Sequence, residues 1–213
     1  MPMKITKFGH SCLLVEHGGA RILIDPGSYS TAQNDAKNID AILITHEHQD
    51  HLSSESLKAI IANNPNVQIF ANEGAGMVLG KEGIACTLVE PGKPFAARDI
   101  TIEAVGRDHA VIHSSIPQIR NTGYLIANRL FHPGDAFTDP GRPVEILALP
   151  VSAPWLKISE AVDYALAVKP KICFPIHDGM LKITAPPYSV SKRVMEPQGI
   201  TFEVIEPGAS REF

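Results

Sequence analysis

The chain has 213 residues, of which 44% are hydrophobic and 20% are charged, so it is long enough for one sizeable hydrophobic core. We expect a single domain that spans residues 1–213. The formal net charge of -4 at pH 7 provides no overall basic surface, which argues against nucleic acid as a partner.

The ends and the cysteines indicate a cellular compartment. Residues 1–5 run straight into a strand pattern, without the charged start, apolar stretch and cleavage site of a secretory signal. No apolar stretch approaches the roughly 18 residues of a membrane span. The cysteines Cys12, Cys86 and Cys173 are odd in number and scattered, which favours a reducing environment. We therefore expect a cytoplasmic protein without membrane association.

The first predicted elements are short strands joined by turns. Strand patterns cover residues 4–8, 12–16 and 21–24, and Gly18-Gly19 is typical of the hairpin turn between the last two. These three strands predict an antiparallel meander. A continuous apolar run at residues 41–44 predicts a further, buried strand.

After this strand, predicted helices and strands alternate along the chain. The helices are expected at residues 54–61, 75–79, 158–168 and 190–195. The strands are expected at residues 67–70, 86–89, 100–105, 122–127, 129–131, 145–149, 172–174 and 201–205. Strand runs with helices set outside them predict an α/β fold in which two mixed β-sheets pack face to face, with helices on both outer faces.

Residues 46–51, which we call the histidine loop, read His-Glu-His-Gln-Asp-His directly after the apolar run. In an extended segment, side chains two apart point the same way, so His46 and His48 can face one cation. Asp50 and His51 are offset and suit a second cation beside the first. The spacing therefore predicts two metal ions.

Two simpler interpretations of the histidine loop are a solvated loop rich in histidine and a single structural zinc site. Four potential ligands in six positions at a strand end are far from ordinary loop composition. Structural zinc sites are usually rich in cysteine, and no cysteine lies near this segment. We favour the two-metal interpretation.

The pattern HxHxDH after an apolar strand resembles the signature of the metallo-β-lactamase superfamily of dinuclear metallohydrolases. Three further segments resemble the motifs of that family in the same order: Ile-Leu-Ile-Asp-Pro at 22–26, Phe-His-Pro-Gly-Asp at 131–135 and Phe-Pro-Ile-His at 174–177. Phe-Gly-His-Ser-Cys at 8–12 is similar to the opening of the branch that includes L-ascorbate-6-phosphate lactonase. The resemblance implies a four-layer αββα sandwich.

The resemblance also implies a set of metal ligands. One metal would be held by His46, His48 and a third histidine. The other would be held by Asp50, His51 and His177, with Asp135 bridging both, and a hydroxide between metals about 3.5 to 4 Å apart would be the nucleophile. Asp50 and Asp135 are the carboxylates that offset the metal charge, and together with the hydroxide they leave the centre at about +1, which suits an electron-rich substrate oxygen.

The third histidine has two candidates, His109 and His113, just past the strand predicted at 100–105. We favour His109, because it lies nearer the strand end, where the family places this ligand. His113 would then contact the ligands or the substrate from outside.

Other residues are candidates for the surroundings of the metals. Asp25 is expected to accept hydrogen bonds from the histidine loop, because its strand ends beside the strand at 41–44. His10 and His132 could line the pocket, or could equally be hydrogen-bonded within the fold. Four aromatic residues in loops could wall the pocket or pack at its edge: Tyr29, Phe137, Trp155 and Tyr188.

These observations predict a compact hydrolase in which a metal-bridged hydroxide attacks a small anionic ester, either a phosphodiester or a lactone. The metals would be zinc, with manganese or iron as alternatives. An iron-loaded redox or oxygen-handling protein is the alternative function, because the same ligands suit non-haem iron. The sequence is compatible with a homo-oligomer and specifies neither the oligomeric state nor the substrate.

Overall fold

The computed structural model describes all 213 residues and contains fourteen strands and four α-helices. The helices are α1 (Ser54–Asn63), α2 (Glu73–Lys81), α3 (Ile158–Val168) and α4 (Ala185–Met195). The strands are β1 (Met3–Gly9), β2 (Cys12–His17), β3 (Ala20–Ile24), β4 (Ala41–Ile44), β5 (Gln68–Ala71), β6 (Thr87–Leu88), β7 (Phe95–Ala97), β8 (Ile100–Val105), β9 (Gly123–Ile126), β10 (Leu130–His132), β11 (Ile146–Pro150), β12 (Ile172–Ile176), β13 (Thr201–Phe202) and β14 (Ser210–Glu212). None of the helices has both the length and the apolar character that crossing a membrane requires.

The strands form two seven-stranded mixed sheets. The first sheet has the order β14-β1-β2-β3-β4-β5-β6, and the second has the order β13-β12-β11-β10-β9-β8-β7. In each sheet an antiparallel meander leads into strands that pair in parallel. The carboxyl ends of the parallel strands therefore gather at one edge of each sheet.

Three groups of buried apolar side chains pack the layers of the fold against one another. The largest, with 23 residues, lies between the sheets and joins Leu13 and Ile24 of the first sheet to Ile126 and Ile146 of the second. A group of 14 packs the first sheet against α1 and α2, and another group of 14 packs the second sheet against α3 and α4. The predicted two-sheet α/β fold with outer helices is confirmed.

Most predicted elements match the observed ones closely. The strands β4 and β8 and the helix α3 have the predicted bounds, because a strong apolar pattern defines each of them. The short edge strands β7 and β14 were not predicted. Helix α4 begins at Ala185 instead of residue 190, because Pro186 and Pro187 occupy its first turn, where a missing backbone N–H breaks no helical hydrogen bond.

The connection after β3 touches the backbone of the histidine loop at Gly27. A Cβ atom at this position would lie 1.8 Å from the carbonyl oxygen of Asp50 and 2.5 Å from the backbone nitrogen of His51. The neighbouring Ser28 N–H donates to the carbonyl of Gln49 at 2.8 Å, which keeps the two segments together. Only glycine permits this approach.

We expect Gly27→Ala to lower the free energy of unfolding by about 1–3 kcal/mol, because one of the two backbones must shift to relieve the overlap. The urea midpoint of unfolding measures the change. Gly80→Ala in helix α2 is the matched control, since its added Cβ meets no heavy atom within 4 Å beyond its chain neighbours and the backbone of its own helix. The control should be at least as stable as the parent. Equal midpoints for Gly27→Ala and the parent would contradict the close approach.

Candidate metal centre

The candidate ligands lie on connections that leave one edge of the two sheets. The histidine loop follows β4, His109 follows β8, Asp135 follows β10 and His177 follows β12. These strands run in the same direction within their sheets, so residues far apart in sequence meet where the strands end. Asp25, which follows β3, joins them from the strand beside β4.

The potential ligand atoms form three overlapping groups, and within each group all atoms lie within 4.8 Å of one another. The first group contains His46, His48 and His109. The second contains His10, Asp50, His51 and His177, and the third joins His46 and His51 to Asp135. The first two groups adjoin one another, and we call them the first and second clusters. The third group places Asp135 between them. Together the groups contain every predicted ligand.

Hydrogen bonds on the far side of each ring leave a nitrogen lone pair directed into the clusters. The Nδ1 atoms of His109 and His177 donate to the carbonyl oxygens of Ala110 and Ser152, at 2.6 and 2.5 Å. His51 Nδ1 lies 2.7 Å from a carboxylate oxygen of Asp25. With Nδ1 protonated, the Nε2 atom of each ring can bind a cation.

His46 and His48 contribute different ring atoms. The hydroxyl of Thr45 donates to Asp25 at 2.7 Å, so it accepts from His46 Nδ1 at 3.0 Å and leaves His46 Nε2 free. His48 instead turns Nδ1 toward the centre, 3.1 Å from His46 Nε2. The two side chains therefore face the same point, as the alternation of an extended segment predicts.

Four buried atoms of the clusters lack a hydrogen-bond partner: Nε2 of His51, Nε2 of His109, Nε2 of His177 and Oδ1 of Asp135. Buried polar atoms in folded proteins are nearly always hydrogen-bonded. Four such atoms converging on one place are the arrangement expected where cations complete the bonding. Neutral imidazole nitrogen and carboxylate oxygen are also the donor types that zinc, manganese and iron accept.

The carboxylates and imidazoles shift the pKa values of one another. Burial alone would raise the pKa of Asp135, but the nearby His51 and further histidine contacts hold it well below its usual value. Burial alone would lower the pKa of His177, yet Asp135 and Asp50 raise it to about 9. The deeply buried His46 has its pKa lowered, chiefly by burial. The carboxylates therefore make the centre attractive to positive charge.

The distances place Asp135 between the two clusters. Its Oδ2 lies 2.9 Å from Nε2 of His177 and 3.5 Å from Nε2 of His109. Its Oδ1 lies 3.2 Å from Nε2 of His51. Asp50 is confined to one cluster, where its Oδ2 lies 3.4 Å from Nε2 of His177.

The other candidate residues have different surroundings. His10 is buried and places Nε2 at 3.0 Å from Asp50 Oδ2. His132 is fully buried and engages the backbone with both ring nitrogens, accepting from Gly134 N–H and donating to the Ser11 carbonyl, so it braces the fold and does not line the pocket. His113 is exposed, bonds to Ser115 and belongs to none of the clusters.

Sequence reasoning missed the residues that hold the ligands from behind. Thr45 touches Asp25, His46 and His51, although its place directly before the histidine loop was a usable signal. Asn121 accepts from the Asp135 N–H at 3.0 Å and donates to the Pro133 carbonyl at 2.9 Å. The Ser152 carbonyl has no signal in sequence, because any residue supplies a carbonyl.

Comparisons with known proteins agree with this fold. A family model described as a beta-lactamase superfamily domain matches residues 4–177. Protein Rv0786c of Mycobacterium tuberculosis is 44% identical over 184 residues, which are 84% of this chain and 85% of that protein. UPF0173 protein PF0020 of Pyrococcus furiosus is 32% identical over 187 residues, which are 83% of this chain and 84% of that protein.

A solved structure supports the same relationship. The crystal structure of a Parabacteroides distasonis protein assigned as a metal-dependent hydrolase superposes with a TM-score of 0.77 at 26% identity, covering 95% of this chain and 92% of that one. The narrower resemblance to the L-ascorbate-6-phosphate lactonase branch stays a prediction. The chain belongs to the metallo-β-lactamase superfamily and, within it, to the UPF0173 family of metal-dependent hydrolases.

Proposed function

We propose that this metal-dependent hydrolase is dinuclear and cleaves a small anionic ester, either a phosphodiester or a lactone. The observation that carries the proposal is the pair of adjoining clusters, in which buried ring nitrogens and a carboxylate oxygen converge without hydrogen-bond partners. A single structural ion would leave one cluster without a cation. The carboxylates Asp50 and Asp135 supply the negative charge that two divalent ions require.

The proposed ligand sets follow the clusters. One cation would be held by His46 Nε2, His48 Nδ1 and His109 Nε2, which belong to the residues of the first group. The other would be held by Asp50, His51 Nε2 and His177 Nε2. Asp135 lies against both sets, which suits a bridging role. Zinc is the favoured metal because it binds histidine and carboxylate together, and manganese and iron remain alternatives.

Two such cations, when bound, would supply a water nucleophile at neutral pH and withdraw electron density from a substrate oxygen. The chain's own residues place and orient this chemistry. The second cluster is buried except for Asp50, which is partly exposed, so the substrate is expected to approach past Asp50. With two cations bound, an anionic group would meet a net positive centre there.

His10 acts in this proposal as a hydrogen-bond donor to Asp50. The backbone N–H of Gly179 donates to His10 Nδ1 at 3.1 Å, so Nδ1 is unprotonated and the proton of the neutral ring lies on Nε2. That Nε2 faces Asp50 Oδ2 at 3.0 Å and donates to it. A protonated nitrogen cannot also bind a metal ion, which makes His10 a positioning residue and not a further ligand.

The first test is metal content. The purified protein should hold close to two divalent ions per chain after expression in metal-supplemented medium, because the clusters offer two ligand sets. Elemental analysis gives the number and the identity of the metals. One ion or none would contradict the dinuclear proposal.

The same preparation, loaded with zinc or with manganese, is then assayed against phosphodiesters, lactones and thioesters. Hydrolysis of a phosphodiester or a lactone is the expected result. A protein that retains only iron and hydrolyses no member of the panel would instead favour the redox alternative.

The two candidate histidines give a matched pair of variants. His109→Ala should lose one metal ion and most of the activity, because His109 belongs to the first cluster. His113→Ala should keep both ions and a near-parental kcat, because its ring lies outside the clusters. Metal content and steady-state kinetics measure both effects, and the reverse pattern would exchange the two assignments.

The proposed bridging role of Asp135 predicts the effect of Asp135→Asn, which keeps the shape of the side chain and removes its charge. The variant should hold the second metal more weakly and should lower kcat more than it changes KM. If it retained both metals and a rate within about threefold of the parent, about 0.7 kcal/mol in activation free energy, Asp135 would not bridge the metals.

A further inference from the structure

Trp155, the only tryptophan of the chain, contacts the metal centre from the connection between β11 and α3. Its indole Nε1–H donates to Oδ2 of Asp135 at 2.9 Å. The ring is partly exposed and stands nearly perpendicular to that of His109, with 6.1 Å between the ring centroids. A tryptophan that only packed at the pocket edge would not need to direct its single polar atom at a buried carboxylate.

The backbone of Asp135 is held independently of the indole. Its N–H donates to the side chain of Asn121 at 3.0 Å, and its carbonyl accepts from the Ala110 N–H at 2.8 Å. These bonds do not fix the rotation of the carboxylate, because the terminal torsion of aspartate has broad preferences. Trp155 donates a hydrogen bond to this carboxylate, whereas the clustered histidines lie near its oxygens with Nε2 atoms that have no hydrogen-bond partner.

Aromatic contacts through Phe137 connect the indole to helix α3 on the outer face of the second sheet. Phe137 packs edge-on against it, with 5.1 Å between ring centroids, and lies 5.0 Å from the ring of Tyr164 on α3. The Tyr164 hydroxyl donates to the Thr138 carbonyl at 2.7 Å. The connection between β11 and α3, which carries Trp155, also supplies the Ser152 carbonyl that accepts a hydrogen bond from His177 Nδ1. Residues 151–157 therefore support two residues of the clusters.

We infer that Trp155 is a positioning residue for the metal centre, whose indole N–H sets the orientation of the Asp135 carboxylate between the two ligand clusters. The inference rests on the proposed function, since it takes Asp135 as a metal ligand. With Oδ2 held by the indole, Oδ1 stays turned toward His51. The indole is neutral, so it orients the carboxylate and leaves its negative charge available to the cations. A lysine or arginine at this position would offset that charge.

The test compares Trp155→Phe with Trp155→Gln. Phenylalanine keeps an aromatic ring against Phe137 and removes the N–H donor, whereas glutamine restores an N–H donor without the ring. Trp155→Phe should bind zinc about 10- to 100-fold more weakly, as measured by competition with a chromophoric chelator. Trp155→Gln should recover part of that affinity. With the loaded enzyme, Trp155→Phe should lower kcat more than it raises KM.

The outcomes separate hydrogen bonding from packing. Parental zinc affinity in Trp155→Phe would overturn the inference and leave the proposed function intact. Equal losses in both variants would also overturn it, because restoring an N–H donor at this position would then recover no zinc affinity. Urea unfolding of both variants in excess chelator shows whether either loss is a stability effect.

Fluorescence of the parent protein provides a readout that needs no variant. Because Trp155 is the single tryptophan, its emission reports on this indole alone. Zinc titrated into chelator-treated protein should change the emission and reach a plateau at the stoichiometry found by elemental analysis. Zinc binding without an emission change would overturn the inference, whereas a parent that binds no zinc would overturn the proposed function and this inference with it.

Discussion

The buried carboxylate of Asp25 fixes the histidine loop to the first sheet, and the geometry of the centre depends on that attachment. Its oxygens accept from the backbone N–H and the hydroxyl of Thr45, at 2.8 and 2.7 Å, and lie 2.7 Å from His51 Nδ1. A fully buried carboxylate is costly unless such partners surround it. Because Asp25 follows β3 and Thr45 follows β4, the neighbouring strand sets the direction of the loop.

The backbone at three residues of the site adopts a left-handed conformation that non-glycine residues rarely take. The φ angles are 51° at His10, 47° at Asp25 and 59° at His177. Such conformations cost about 1–3 kcal/mol each and persist where the surroundings determine them fully. At His177 the surroundings include the His10 carbonyl, which accepts the His177 N–H at 3.2 Å. The turn after β1 thus holds a proposed ligand from the other sheet.

The buried side chain of Lys7 also holds the segment that carries His177. Its ammonium group is fully buried, donates to the Pro175 carbonyl at 2.9 Å and pairs with Asp178 at 2.5 Å. Tyr188 on α4 donates to the same carboxylate. A buried ion pair is weak evidence for stability, because desolvation offsets the attraction. Its geometric effect is clear here, since Lys7 binds on both sides of His177 and restricts the segment that carries that ring.

The sequence alone determined the fold class and most of the proposed centre. Apolar periodicity predicted β4, β8 and α3. The histidine loop predicted a metal site, because its six residues are contiguous and their alternation determines which side chains point the same way. Local patterns of this kind need no tertiary information. The edge strands β7 and β14 escaped detection, because short exposed strands form through their pairing with neighbours and carry little pattern of their own.

Only the tertiary structure decided what depends on residues distant in sequence. Spacing allowed either His109 or His113, and the chain path that brings the Ala110 N–H to the Asp135 carbonyl placed His109 beside the cluster. The tautomer of His10 is set by Gly179, and the orientation of Asp135 by Trp155, at separations of 169 and 20 residues. These hydrogen bonds require a narrow range of distances and angles. No periodicity in a sequence encodes them, because they join segments that meet only after both sheets have formed.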